Sequence, residues 1–244
     1  MSEYSRKAFI PQGITLTGIF FGLLSILWAE ALPYWACTAI VGAGFCDLID
    51  GRVARFTGTT SEFGAELDSL ADIVSFGLAP AILVYHYGLA GASTGRGFDP
   101  WVLVPFVFVC CGAIRLARFN IGTGGTSPGI DFSGVPIPVA ALLLTSLVMA
   151  SVELQLHVVT EPVFMAPFVV VVALLMVAPF RMRSFKQFRR RWGKWLFFGA
   201  IGFGFLILAL GMAAGAVLFC CLVLYVLMGL AQTFLGASGQ EMDA

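Results

Sequence analysis

Asp47 and Asp50 lie three residues apart, and Asp68 and Asp72 four apart, within residues 46–72 of a chain that is otherwise overwhelmingly apolar. Both spacings put the two carboxylates of a pair on one face of an α-helix. If the chain turns back between the pairs, the two helices run antiparallel and the four carboxylates converge. Four unneutralised carboxylates at one point repel each other. The same stretch sets only Arg52 and Arg55 against them, so pairing among themselves leaves the aspartates in excess. Divalent metal is the natural counter-charge, and all-oxygen ligation by carboxylates selects Mg²⁺, Mn²⁺ or Ca²⁺ over zinc. Mg²⁺ in particular is held by one or two carboxylates together with phosphate oxygens, so the set anticipates a phosphate-bearing substrate.

The neighbours of these aspartates point the same way. Gly51, directly after Asp50, lets a ligand come against the backbone where any side chain would block it. Ala54, one turn on, keeps that face open, and Arg55 supplies a planar permanent cation suited to phosphate. Gly64, four residues before Asp68, leaves space between the helices that a side chain would fill. The bland alternative is that intramembrane charges pair with each other or cap helices. The acidic excess weighs against it, and buried ionisable groups in spanning helices are functional by default.

The elements that must position these residues are transmembrane helices. Of 244 residues, 59% are hydrophobic and 11% charged, far below the charge of a soluble domain, and the 28 glycines suit helices that approach closely in lipid. Spans of about 20 apolar residues are expected at 14–32, 34–56, 66–87, 101–121, 135–156, 162–180, 194–212 and 214–235. The expected fold is therefore an all-α integral membrane protein, a polytopic bundle of about eight transmembrane helices in one membrane domain, 1–244. Loops of about 13 residues are expected at 88–100, 122–134 and 181–193, and one of roughly ten between the two halves of the aspartate hairpin. With the N-terminus in the cytoplasm, all basic residues except Arg96 fall on the cytoplasmic side, including the block from Arg181 to Lys194. Both termini and the aspartates then face the cytoplasm, as in a bacterial inner membrane. The basic block itself reads as a topology signal that also attracts anionic headgroups, or as a direct substrate contact. The six cysteines, Cys37, Cys46, Cys110, Cys111, Cys220 and Cys221, lie in apolar runs and read as small hydrophobes rather than disulfides or zinc ligands. His86 and His157 fall near outer helix ends, away from the acids. The formal net charge is zero, and no nucleic-acid partner is expected.

Taken together, Asp47-x2-Asp50-Gly51-x2-Ala54-Arg55-x8-Gly64-x3-Asp68-x3-Asp72 resembles, without gap or substitution, the signature of the CDP-alcohol phosphotransferases, a family of integral membrane enzymes. The resemblance implies displacement of CMP from a CDP-linked lipid or alcohol by a hydroxyl, with two divalent metals, Mg²⁺ or Mn²⁺, on the pyrophosphate. It further implies that Asp47, Asp50 and Asp68 are metal ligands, that Asp72 is both ligand and general base, and that Gly51, Ala54 and Arg55 belong to the cytidine-nucleotide pocket. A family core of six helices over 1–190 would be followed by two more over 191–244.

Downstream segments point to the acceptor. Ala113–Asn120, AIRLARFN, and Phe132–Ala141, FSGVPIPVAA, are similar to segments of the family's serine-accepting branch, which moves the phosphatidyl group of CDP-diacylglycerol to the hydroxyl of L-serine. RMRSFK, from Arg181, is similar to a third. Arg115 and Arg118, three apart, suit a carboxylate or a lipid phosphate, with Asn120 as hydrogen-bonding neighbour, and they equally suit positive-inside anchoring. The stretch from Pro11 to Thr15 departs from the family's Pro-Asn-x-x-Thr by carrying Gln12, whose amide sits on a longer stem. Two alternatives stand beside this reading: a sister enzyme taking glycerol 3-phosphate, inositol phosphate or choline, and a divalent cation transporter. The acids cluster in the inner third of one hairpin, whereas transport sites sit near the midplane between broken helices. The last helices are expected to serve packing or a homodimer, with Gly199, Gly202, Gly204, Gly211 and Gly215 allowing close contacts.

Overall fold

The structure, a computed structural model, describes residues 3–92, 98–123, 134–178 and 213–240, with side chains over 9–91, 98–121, 134–178 and 213–230. The described residues form helices and short connections, without strands. In chain order the helices are α1 (Glu3–Trp28), α2 (Pro33–Thr57), α3 (Glu62–Asp72), α4 (Ala79–Val84), α5 (Leu103–Thr123), α6 (Ile137–Leu154), α7 (Pro162–Val177) and α8 (Ala214–Gln240). Between α3 and α4 the rod continues unbroken through a π-helical turn, Ile73–Leu78, and a second, Tyr85–Leu89, follows α4. Glu62–Leu89 is thus one long helical unit.

Four segments are long and apolar enough to cross a membrane: Phe9–Trp28, Glu62–Leu89, Pro100–Ile121 and Ile137–Leu154. Pro162–Val177 and Ala214–Leu230 are shorter apolar helices. α2 is long enough at 25 residues, but Asp47, Asp50, Arg52 and Arg55 make its second half too polar to count. The expected span 194–212, the basic block 181–194, the RMRSFK segment and Gly199, Gly202, Gly204 and Gly211 lie outside the described residues, as do Arg96, Phe132 and Ser133. The surface of the bundle is ringed by apolar side chains such as Phe20, Leu23, Leu27, Phe45, Phe106 and Leu174, each more than a third exposed. In water such a surface would be an aggregation liability; in lipid it is the solvent-facing side. The chain is a helical membrane protein.

α6 is the central post. Ala140, Ala141, Leu143, Leu144, Leu147, Val148 and Ala150 are buried, and its Thr145 and Ser146 hydroxyls return to their own helix, donating to the Ala141 and Leu143 carbonyls. α2 packs on one side of it and α8 on another, while α5 pairs with α7 and α1 lies along α2. Close approach is set by glycines. A Cβ on Gly215 would collide with the Ala150 backbone, so α8 touches α6 of its own chain there. Gly134, at φ +84, fits under the last carbonyls of α7, where a Cβ would collide with the Met176 oxygen. The adjacent Val135 N–H donates to the Leu175 carbonyl at 3.0 Å, which explains why the chain enters α6 at this point.

Two boundaries differ from the sequence expectation in ways that matter for the site. α1 begins well before Pro11 and runs through it, so Pro11 and Gln12 stand within the helix rather than at its start. Pro11 has no N–H to give to the carbonyl four residues back, so it interrupts the hydrogen-bond ladder inside α1. The hairpin connection is four residues, 58–61, rather than about ten. Gly58, at φ 66, closes α2 in the left-handed conformation and donates to the Ala54 carbonyl, and the Ser61 hydroxyl caps α3 through the Gly64 N–H at 3.1 Å. Both helices therefore extend toward each other's ends.

Candidate active site

The tight hairpin brings the two aspartate pairs face to face. One carboxylate oxygen from each of Asp47, Asp50 and Asp68 lies within 4.8 Å of the others, a spacing that one hard cation can bridge. Asp72 joins them as a wall of the same small chamber, with Thr15, Gly18, Ala43, Ala71, Ser75 and Phe76. Asp50 is buried, and the other three are half-buried. This donor set fits divalent metal: four carboxylates in apolar surroundings, with no cationic side chain among the described residues that line the chamber. Mg²⁺ or Mn²⁺ suits it better than a softer ion.

Asp50 is fixed from two directions. Thr15 of α1 donates its hydroxyl to Asp50 Oδ2 at 2.8 Å, and the Gly51 N–H donates to Oδ1. Thr15 reaches Asp50 because α1 docks closely. A Cβ on Gly18 would meet the Cys46 side chain at 3.6 Å, and at Gly22 a Cβ would be 3.0 Å from the Ser75 Cα. Ser75, on the π turn just after Asp72, donates to the Gly18 carbonyl at 3.0 Å. A small-xxx-small pair thus clamps α1 across both aspartate helices. Its signal is present in the sequence as Gly18 and Gly22, but its target is not.

Beside the chamber lies a cleft of about 280 Å³ between α1, α2, α3 and their connection, lined by Pro11, Gln12, Thr15, Asp50, Gly51, Ala54, Arg55, Gly64 and Asp68, among others. Asp50 and Asp68 belong to both spaces, whereas Asp47 and Asp72 border only the chamber. At Gly51 the nearest atom to an added Cβ is Arg55 Nη2, 4.0 Å away, and at Gly64 it is the Ser61 hydroxyl at 3.3 Å. Gly51 borders space that the protein leaves unfilled, whereas at Gly64, which also lines the cleft, a Cβ would press on the Ser61 hydroxyl. Gln12 lines the same cleft, so its longer amide reaches the region where the shorter Asn was expected.

The acceptor candidates separate. Arg115 on α5 is half-buried, near enough to Asp72 for their charges to interact, and its Nε–H has no hydrogen-bond partner among the described residues. Arg118, one turn further, is exposed. Asn120 donates its amide to the Ser69 hydroxyl at 3.0 Å, tying α5 to α3 beside Asp68. Sequence reasoning missed Ser69, Ser75 and the polar connection Thr59–Ser61. It also read His86 and His157 as remote, and both do lie outside the chamber and cleft. All six cysteines are free.

With this geometry in place, comparison with known proteins is informative. Residues 8–178 match the CDP-alcohol phosphatidyltransferase family, and the chain belongs to that family of membrane enzymes. Its relatives include a CDP-diacylglycerol–serine O-phosphatidyltransferase of Helicobacter pylori, 42% identical over 179 residues, covering 72% of this chain and 73% of the relative. A second protein of that name, from Mycobacterium leprae, is 35% identical over 74% of this chain and 61% of its own length. An archaetidylserine synthase of Methanothermobacter thermautotrophicus is 40% identical over 60% of this chain and 61% of its own length.

Proposed function

We propose that the protein transfers the phosphatidyl group of CDP-diacylglycerol to the hydroxyl of L-serine, forming phosphatidylserine and CMP. The observation that carries the chemistry is the four-aspartate chamber sharing Asp50 and Asp68 with a cleft bordered by Gly51, Gly64 and Arg55. The acceptor is suggested by the relatives, whose names carry serine in both a phosphatidyl and an archaetidyl version. Asp47, Asp50, Asp68 and Asp72 would hold the divalent metals, which when bound neutralise the pyrophosphate and stabilise the entering and leaving oxygens of a displacement at phosphorus.

The chain's own residues divide the remaining work. Gly51 and Ala54 admit the cytidine nucleotide against α2, Gly64 against α3, and Arg55 binds its phosphate. Thr15 keeps Asp50 in one rotamer. The serine hydroxyl oxygen bonds to the lipid-side phosphorus while its proton passes to Asp72. The bond from that phosphorus to the CMP oxygen breaks, and CMP leaves with the electron pair. Arg115 and Arg118 bind the acceptor side, and Asn120 acts through Ser69 to hold α3 against α5. The placement of basic residues supports a site facing the cytoplasm.

The test is an acceptor panel. Purified protein in detergent, with Mn²⁺ or Mg²⁺ and CDP-diacylglycerol, is expected to release CMP with L-serine. Release with glycerol 3-phosphate, inositol phosphate or choline, but not serine, would move it to a sister activity. Cation flux in liposomes with no response to nucleotide would replace the enzymatic reading with transport.

A further inference from the structure

The connection between α2 and α3 lies at the far end of the cleft from the carboxylates. Thr57 is about two helical turns, roughly 10 Å, from Asp50 along α2, and Ser61 is as far from Asp68 along α3. On the functional reading above, the phosphates of CDP-diacylglycerol sit at the aspartates. A nucleotide lying along the cleft then places its base at the connection, where Thr59, Thr60 and Ser61 line the space.

Of these three, Thr59 has its hydrogen-bonding sense fixed. Thr60 and Ser61 are exposed, and hydroxyls there can turn to donate or to accept. Thr59 is only 4% exposed, and its hydroxyl oxygen lies 2.7 Å from that of Thr57. The Thr57 proton is already committed, because its oxygen is 2.8 Å from the Val53 carbonyl and 3.4 Å from the Ala54 carbonyl, neither of which can donate. Thr57 therefore accepts in the pair, and Thr59 donates. The Thr59 N–H donates to the Ala54 carbonyl at 3.0 Å, which holds the residue in place. With its one proton engaged by Thr57, the Thr59 hydroxyl has only lone pairs left to offer a ligand.

A fixed acceptor distinguishes the two pyrimidine bases. Cytosine carries at C4 an amino group, which donates, whereas the carbonyl that uracil carries there accepts. Against Thr59 the first makes a hydrogen bond. The second sets two acceptors face to face in a buried site, where an unmet polar group is costly.

We propose that Thr59 selects cytosine over uracil by accepting a hydrogen bond from the amino group of the base, and that Thr57, which does not line the cleft, sets this preference by taking the Thr59 proton. The proposal rests on the transferase reading, which puts the nucleotide in the cleft. Thr59 is a specificity-determining residue, and Thr57 is a positioning residue that acts through it.

Binding of CMP and UMP to the full chain in detergent with Mn²⁺, followed by calorimetry, tests the proposal without turnover. Wild type should bind CMP at least about tenfold more tightly than UMP. Thr59→Val keeps the shape and removes the hydroxyl; it should weaken CMP about tenfold and leave UMP within about twofold. Thr59→Ser keeps the hydroxyl and should keep the preference. Thr57→Val tests the proton order itself: it frees the Thr59 proton to donate, so UMP should bind about tenfold more tightly than in wild type. A merely structural role for either residue would weaken both nucleotides together. Equal affinity for CMP and UMP in wild type, an undiminished preference in Thr59→Val, or unimproved UMP binding in Thr57→Val would each overturn the proposal. Release of CMP from CDP-diacylglycerol by wild type judges the transferase reading separately: where release is normal and the variants leave base preference unmoved, the reading stands and the proposal falls. A wild type that binds neither nucleotide and releases no CMP would remove both.

Discussion

Gly51 offers a test in which stability and function move in opposite directions. It lies inside α2, and an added Cβ would meet no atom closer than Arg55 Nη2 at 4.0 Å. Gly51→Ala therefore creates no clash in the folded protein. It also removes the flexibility that makes glycine destabilising mid-helix, a gain of about 0.5–1 kcal/mol. For a chain of this size that corresponds to a rise in melting temperature of about 1–4 °C. The same methyl projects where the nucleotide is proposed to lie against the backbone. Overfilling a fitted site costs about 1–3 kcal/mol, so the KM for CDP-diacylglycerol should rise about 5- to 150-fold. Thermal unfolding in detergent and CMP release against lipid-nucleotide concentration read the two effects on one preparation. A variant that is more stable and fully active, with unchanged KM, would remove the nucleotide from this cleft. A variant that melts lower would mean the glycine serves the packing of α2 instead.

Three further outcomes are expected. Thr15→Val removes the hydroxyl donating to Asp50 at 2.8 Å; loss of a hydrogen bond to a charged group is worth about 1.5–3 kcal/mol, so half-maximal activation should need at least about tenfold more Mn²⁺, and an unchanged Mn²⁺ titration would refute the positioning role. Chelation should abolish CMP release and Mn²⁺ should restore it, whereas Asp68→Asn should not be restored at the same concentration; activity surviving exhaustive chelation would contradict the metal assignment. Gly134→Ala meets both a φ of +84 and the Met176 carbonyl oxygen, so it should lower stability by more than about 2 kcal/mol; a melting temperature indistinguishable from wild type would mean the α6–α7 junction can relax.

The aspartates were legible because metal ligation restricts both residue type and helical spacing, and because a charge held in an apolar chain must offset its own desolvation. The spans were legible from hydropathy where charge is low, as in Pro100–Ile121 and Ile137–Leu154. α2 shows the limit, because the residues that make it functional are those that weaken its membrane signal. The length of the hairpin connection was overestimated, since Thr57 and Glu62 extend the helices and their ends depend on the αL turn at Gly58 and the cap at Ser61. Thr15 and Ser75 were not legible as partners of the site. Their contacts cross 35 and 57 residues and exist only once Gly18 and Gly22 let α1 dock.

The π turn after Asp72 has a consequence for the geometry of the whole bundle. Its hydrogen bonds skip an extra residue, as where the Ala79 N–H reaches the Val74 carbonyl. Each residue of an α-helix advances the side-chain direction by about 100°, so a widened turn acts as a phase shift along one rod. Upstream of it, Asp68 and Asp72 join the aspartates of α2 around the chamber; downstream, Ala79, Leu83 and Val84 are fully buried in the core. The two faces are thereby decoupled. The angle at which the carboxylates meet can be tuned by the width of a single turn, without rotating the packing surface that holds the helix in place.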